Sequence, residues 1–310
     1  MFKILLKHKL INAVLIIGMI ALTAICILKT PDIMLLKRIS GHASQIMLLL
    51  FGTGLFFFIL DQKRLLFTAF GCVAALCLHF KNVANINLAL PVKTAEPSFA
   101  IAQVSTVDLS EHWQTSVESL IKSNADILSI LEITPDWENL LRGQLKETYP
   151  YYTILTRIDL LGLAVFSKFP IEQVDTLVYE EVPHLKTKIN IDNLKEVLLY
   201  SFNTNPPLFR NSLLQLRNQL ASLAEEIDNQ GNACMASGNF NLDQFADGIQ
   251  DFRAKAHLLD SRKTMSPSLY TPTSHIFYSI AFECLRFTNL YDDASYKIGI
   301  IGEYQFRRND

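Results

Sequence analysis

Asn124-Ala125-Asp126-Ile127-Leu128-Ser129-Ile130-Leu131-Glu132 is the stretch whose reading sets the fold class of this chain. Ile127 to Leu131 is short and nearly all apolar, as in a strand buried on both faces. A carboxylate, Glu132, follows where the chain leaves that strand. On one side of it, Glu111 to Asn124 reads as an amphipathic helix, with Val117, Leu120 and Ile121 at helical spacing. On the other side, Trp137 to Lys146 reads as a second helix. Further out, Ser98–Val104, Leu161–Phe166, Glu196–Phe202, Ala233–Ser237, Ser274–Ile280 and Ile298–Phe306 read as strands. Asn211 to Asn229 is the best-formed helix, with Leu213, Leu216, Leu220 and Leu223 on one face. Such a mixture predicts one large α/β domain over residues 98–310.

The residues before it have a different composition. Half of the 310 residues are hydrophobic, and up to about Phe80 the chain is mostly Leu, Ile, Phe, Ala and Gly. A membrane span needs about 20 apolar residues, and three runs, 10–28, 41–60 and 65–80, are read as spans of a transmembrane region covering residues 1–81. Residues 82–97, with Pro91 and Pro97, read as a linker. Three spans put the termini on opposite sides of the membrane. Lys3, Lys7 and Lys9 beside the first span favour an inside N-terminus, hence an extracytoplasmic domain.

A net charge of −2 gives no overall basic field, so nucleic acid is not supported as a partner. Of the five cysteines, only Cys234 and Cys284 lie in the α/β domain. They read as small buried hydrophobes, with a single bridge between them open in an oxidising compartment.

Several further segments resemble one known family in the order that family uses. Asn124–Glu132 resembles the "aDIl.l.E" strand of the endonuclease/exonuclease/phosphatase superfamily, and Gly162–Pro170 resembles its "G.aifSk.Pi" segment. Asn203-Thr204-Asn205-Pro206-Pro207 resembles "H..PP", and Arg217-Asn218-Gln219-Leu220 resembles "R..QL". Gly238-Asn239-Phe240-Asn241 resembles "GDFN", Thr273–Ser279 resembles "pIDHIf.S", and Ala294-Ser295-Tyr296-Lys297 stands where "gSDH" would. The resemblance implies a two-sheet β-sandwich flanked by helices, in four layers, and Mg²⁺-dependent hydrolysis of phosphoesters.

The resemblance also implies roles, position by position. Glu132 would hold the metal, and Asn241 would contact phosphate. At the other positions the chain departs from the family. Ser105 stands for the first-strand Asn, and Asn203 for the His of the Pro-Pro motif. Asn239 stands for the Asp of "GDFN", and Ser274 for the Asp that orients the catalytic His. Tyr296 and Lys297 replace the final Asp–His pair, and no Asp-His dipeptide occurs in the sequence. His275 survives but is not the family's general base. A general base near neutral pH is commonly a histidine held by a partner, whereas a lysine stays protonated there unless strongly desolvated. The expectation is therefore a pseudoenzyme, with a pocket of Ser105, Glu132, Asn203, Asn239, Asn241, Ser274 and Lys297. It would need no cofactor and would bind a phosphorylated ligand or a protein partner. The alternative is a weak Mg²⁺-dependent phosphodiesterase or phosphatase acting on a nucleic acid, lipid or sugar phosphate. Lys297 could pair with Glu132 in place of the missing metal charge.

Overall fold

The computed structural model describes residues 9–29, 31, 33–83, 91–192, 195–231, 233–264 and 272–308. They form two compact units. Residues 84–90 of the expected linker lie outside the described residues.

The first unit is helical: α1 (Lys9–Ile27), α2 (Met34–Ser40), α3 (Ala43–Ile59) and α4 (Lys63–Val83). Cys26, Ala43, Leu50, Cys72 and Leu76 form its packed centre. Among the described residues, only α1 and α4 are long and apolar enough to cross a membrane, which corrects the expectation of three spans to two. Gly41-His42, at the start of the middle run, separates α2 from α3, and α3 keeps 17 residues. At 1.5 Å per residue it reaches about 26 Å, short of a hydrocarbon core of about 30 Å. The extracytoplasmic placement depended on an odd number of spans and loses that support.

The second unit is the α/β domain. Its elements are β1 (Ser98–Ser105), α5 (Thr106–Leu109), α6 (Trp113–Lys122), β2 (Ile127–Leu131), α7 (Pro135–Leu145), β3 (Tyr151–Leu155), β4 (Leu163–Ser167), β5 (Ile171–Tyr179), β6 (Val182–Asp192) and β7 (Lys195–Asn203). Then come α8 (Arg210–Gln230), β8 (Cys234–Asn239), α9 (Asp247–Lys255), β9 (Leu258–Asp260), β10 (Ser274–Ser279), β11 (Phe282–Tyr291) and β12 (Lys297–Phe306). One sheet runs β11-β12-β1-β2-β4-β3 and the other β5-β6-β7-β8-β10-β9. Each sheet holds one parallel pair, β1/β2 and β7/β8, joined through helices as parallel strands must be. All other pairs are antiparallel.

Between the sheets, Phe99, Ile101, Ile127, Leu131, Leu199, Met235, Ile276 and Tyr304 pack into the main core. On the outside of the first sheet, Val117 and Leu120 of α6 and Leu141 and Leu145 of α7 cover Ala102, Leu128 and Ile130. This explains why Ile127–Leu131 is apolar on both faces: odd positions face the core and even positions face the helices. Outside the second sheet, α8 buries its leucine stripe, and Phe202, Phe240, Phe252 and Phe277 stack in one cluster. The four-layer α/β/β/α sandwich is what the sequence predicted. The strands β3, β5, β6, β9 and β11 were not foreseen. Cys234 and Cys284 are both buried, and neither forms a disulfide. Cys284 faces the core between the sheets, whereas Cys234 neighbours the core residue Met235 and so faces the opposite side, which precludes a bridge.

His184 on β6 is buried, and neither ring nitrogen has a hydrogen-bond partner. Burial pushes its pKa down from 6.5 to about 4. The unfolded chain therefore takes up a proton that the folded domain refuses across that window, and stability falls as pH drops through it, by about 3 kcal/mol from this residue alone. Both tryptophans, Trp113 and Trp137, lie in the α/β domain, so their fluorescence reports its unfolding in the full chain. His184→Phe should flatten the fall in melting temperature between pH 6.5 and 4. A slope equal to that of the unaltered chain would show that His184 is not its source.

Candidate functional site

Both parallel pairs end at the same end of the sandwich, where ligands of open α/β sheets commonly bind. In the first sheet, β1 stops at Ser105 beside Leu131, with Glu132 next in the chain. β12 runs antiparallel to β1 and starts there, at Lys297. In the second sheet, Asn203 is the register partner of Asn239, and Asn239 of Ser274. The expected pocket residues thus line the ends of two facing sheets.

Glu132 lies at the centre. Its backbone is left-handed, φ 66°, an uncommon state for a side chain of this kind and one that collects at functional positions. Thr106 Oγ1 donates to its carbonyl at 2.7 Å. The Ser105 hydroxyl donates to Oε2, and Asn203 Nδ2 approaches Oε1 at 3.5 Å while donating to the Leu160 carbonyl at 3.0 Å. Ser105 also accepts from the Val107 amide and so caps α5. Gly162 allows the loop before β4 to close here, since a Cβ on it would meet the Ile133 carbonyl oxygen at 2.0 Å.

Asn239 and Asn241 build a turn. Asn239 Oδ1 accepts from the Asn241 amide at 3.1 Å, a local bond that favours Asn in turns. The Asn241 side-chain amide donates to the Thr204 carbonyl and hydroxyl, and Asn241 is left-handed at φ 52°. Its amide hydrogens are therefore engaged within the turn. The Ser274 carbonyl accepts from Arg262.

His275 is one residue out of phase with Ser274 and points to the other side of its sheet. It is fully buried among Phe240 and Phe277. Nε2–H donates to the Leu242 carbonyl at 2.8 Å, and Nδ1 accepts from Arg262 Nη1 at 2.6 Å. Burial, and next the Arg262 charge, hold its pKa well below 6.5. It is a neutral structural histidine. Asp292, five residues before Lys297, is also turned away from the pocket. It accepts from the Ala294 and Tyr296 amides at 3.0 and 2.8 Å and from Ser116 of α6 at 3.4 Å.

Two charged groups were missed in the sequence. Asp108, on α5, has its pKa raised by partial withdrawal from water and then by the Glu132 charge, with Lys297 opposing. Its position three residues past Ser105, at a helix start, was the available signal. Arg262, just after β9, is buried, lies 5.5 Å from the Phe287 ring and sits 3.9 Å from Asp260. No motif marks it. Lys297 is held below the ordinary lysine value by partial withdrawal from water and then by Arg262, with Asp108 opposing. No carboxylate lies within ion-pairing distance of Lys297 among the described residues, so the expected Lys297–Glu132 pair is not formed.

The profile of the Endonuclease/Exonuclease/phosphatase family matches residues 85–292. The chain belongs to this family. Solved structures agree on the fold. An endonuclease/exonuclease/phosphatase from Beutenbergia cavernae has a TM-score of 0.57 at 15% identity, covering 68% of this chain and 72% of that one. A family protein from Bacteroides thetaiotaomicron has a TM-score of 0.56 at 15% identity, covering 69% and 100%. The catalytic domain of human nocturnin has a TM-score of 0.55 at 13% identity, covering 68% and 94%. No curated protein matches the sequence.

The family implies a divalent metal, and the residues present do not suit one. Magnesium favours carboxylate, phosphate and water oxygens. Here both Glu132 oxygens face protein donors, and the neighbouring family positions carry amides and a hydroxyl. Lys297 and Arg262 add fixed positive charge. Among the described residues, no group of three or more His, Cys, Asp or Glu gathers.

The Ser105–Glu132 bond is open to direct test. Ser105→Ala removes a donor from a half-buried carboxylate and the cap of α5, and should cost about 1–3 kcal/mol of domain stability. Ser105→Asn, which restores a donor, should cost less. Melting followed by tryptophan fluorescence separates the two, and equal melting temperatures for Ser105→Ala and the unaltered chain would remove the bond from the account.

Proposed function

We propose that this protein is a membrane-anchored member of the family whose domain no longer hydrolyses phosphoesters and instead binds a phosphorylated ligand. The observation that carries this is the absence of the family's histidine base. Lys297 stands where the family has its histidine, Asn239 carries an amide where it has a carboxylate, and His275 has both nitrogens occupied on the far side of the sheet. General base catalysis near pH 7 needs a deprotonated acceptor within reach of the nucleophile, and the Glu132 carboxylate has its two oxygens facing Ser105 and Asn203. Helices α1 and α4 support the membrane anchor by length and composition.

A second reading, a weak Mg²⁺-dependent phosphodiesterase, draws on one observation. Asp108 feels the Glu132 charge, so the pocket holds a second carboxylate that the family motifs do not supply. The two readings part in one assay. The full chain in detergent, given Mg²⁺ or Mn²⁺ and bis-p-nitrophenyl phosphate, should release no more nitrophenolate than its Glu132→Ala variant. Turnover in the unaltered chain that disappears in Glu132→Ala would overturn the binding-module proposal.

A further inference from the structure

The two sheets end in four edge strands, and three of these are blunted. β9 is three residues long and β3 five, and β11 is interrupted by two register shifts. β5 differs from them. It has nine residues, it lies at the edge of its sheet, and its pairing with β6 is unbroken from Gln173 to Tyr179. Among the described residues no strand bonds to its outer side. A long regular edge presents a row of backbone donors and acceptors to any strand that can match it.

The side chains of β5 are also left uncovered. Val174, Thr176 and Val178 are the register partners of Thr187, Leu185 and Pro183, so they share the face that β6 turns toward the core. Those three β6 residues are buried, whereas Val174 is 41% exposed, Val178 61%, and Thr176 is exposed too. Such a β-branched row fits a pleated surface that continues into a further strand.

The matching strand is β5 itself. The unbroken stretch from Gln173 to Tyr179 is centred on Thr176. An antiparallel pairing about that residue sets Val174 opposite Val178 of the second copy, and Thr176 opposite Thr176. On the other face it sets Asp175 opposite Leu177 and Gln173 opposite Tyr179. Core faces stay together, because residues of like phase meet. Valine and threonine pairs of this kind stabilise adjacent strands. A register centred on Asp175 would oppose two carboxylates. One centred on Leu177 would leave Gln173 and Val174 beyond the partner strand. About Thr176 the two Asp175 side chains are offset, and each keeps Lys186 of its own β6 beside it.

We propose that two copies of this chain associate through β5, antiparallel about Thr176, joining their second sheets into one continuous sheet. The contact uses one patch twice, as a two-fold dimer requires. It goes beyond the binding-module reading and holds whether or not the domain hydrolyses a phosphoester.

Sedimentation of the full chain in density-matched detergent tests this across a dilution series, with tryptophan fluorescence melts to show that each variant is folded. The unaltered chain should form a dimer that dissociates on dilution. Val174→Lys with Val178→Lys places lysine opposite lysine at two symmetric sites, and should raise the dissociation constant at least about tenfold. Val174→Lys with Val178→Glu places lysine opposite glutamate at both and should restore the dimer. A second measurement does not depend on the folding of those variants. In a Cys77→Ser background, which removes an exposed native thiol, Thr176→Cys should oxidise to a disulfide-linked dimer. Val178→Cys should not, since residue 178 faces residue 174. A monomer at every concentration would overturn the proposal. So would a dimer indifferent to the two lysines, which would move the contact away from β5. Equal cross-linking at 176 and 178, or no recovery with the lysine–glutamate pair, would overturn the register.

Discussion

A carboxylate between two sheets must be supplied with donors, and much of the pocket's geometry follows from that requirement at Glu132. Its side chain meets Ser105 from its own sheet and Asn203 from the facing one. Those contacts couple the ends of β1 and β7, which the core alone would leave free to separate. The left-handed backbone at Glu132 makes the coupling possible, because it ends β2 and returns the side chain toward the cleft. Thr106 then fixes the carbonyl of the same residue. Ser105 belongs to the first sheet and Asn203 to the second, so the carboxylate is held from both sheets.

The departures from the family share one direction. Asn at 239 removes negative charge beside the pocket, and Lys at 297 adds a positive one. Each change lowers the negative charge available to a divalent cation. A lysine beside such an ion would suffer repulsion from it; here Asp108 is the charge that opposes the lowering of its pKa. Arg262 extends the same trend from an unexpected quarter. It is buried, its guanidinium is fixed by His275 and Ser274, and its backbone amide donates to Asp260 Oδ1 at 2.9 Å.

The fold was legible because its signals are redundant. Ile127–Leu131 is apolar on both faces, α8 carries a full leucine stripe, and both parallel pairs are bounded by helices with clear periodicity. The strands that escaped notice are of another kind. β5 alternates irregularly at a sheet edge and leaves most of its residues in solvent, and β11 is broken by register shifts. Neither presents the period on which a strand is recognised. In the pocket, residues reached through motifs were found, since a motif fixes the strand end they occupy. Asp108 and Arg262 arrive through a short helix and a 3-10 turn, whose positions depend on tertiary packing.

His275 shows how a motif residue can serve the fold. In a strand, neighbours in sequence face opposite sides of the sheet, so a Ser-His pair at the start of β10 sends only Ser274 toward the cleft. His275 goes into the aromatic cluster under α9, where a charged imidazole would be doubly opposed, by burial and by Arg262. Its neutral form is useful there for a different reason: one nitrogen donates to Leu242 and the other accepts from Arg262. It therefore ties the turn after Asn241 to the turn after β9. That tie positions Arg262. The histidine's requirement is for neutrality and two hydrogen bonds, with no need for a pKa near 7.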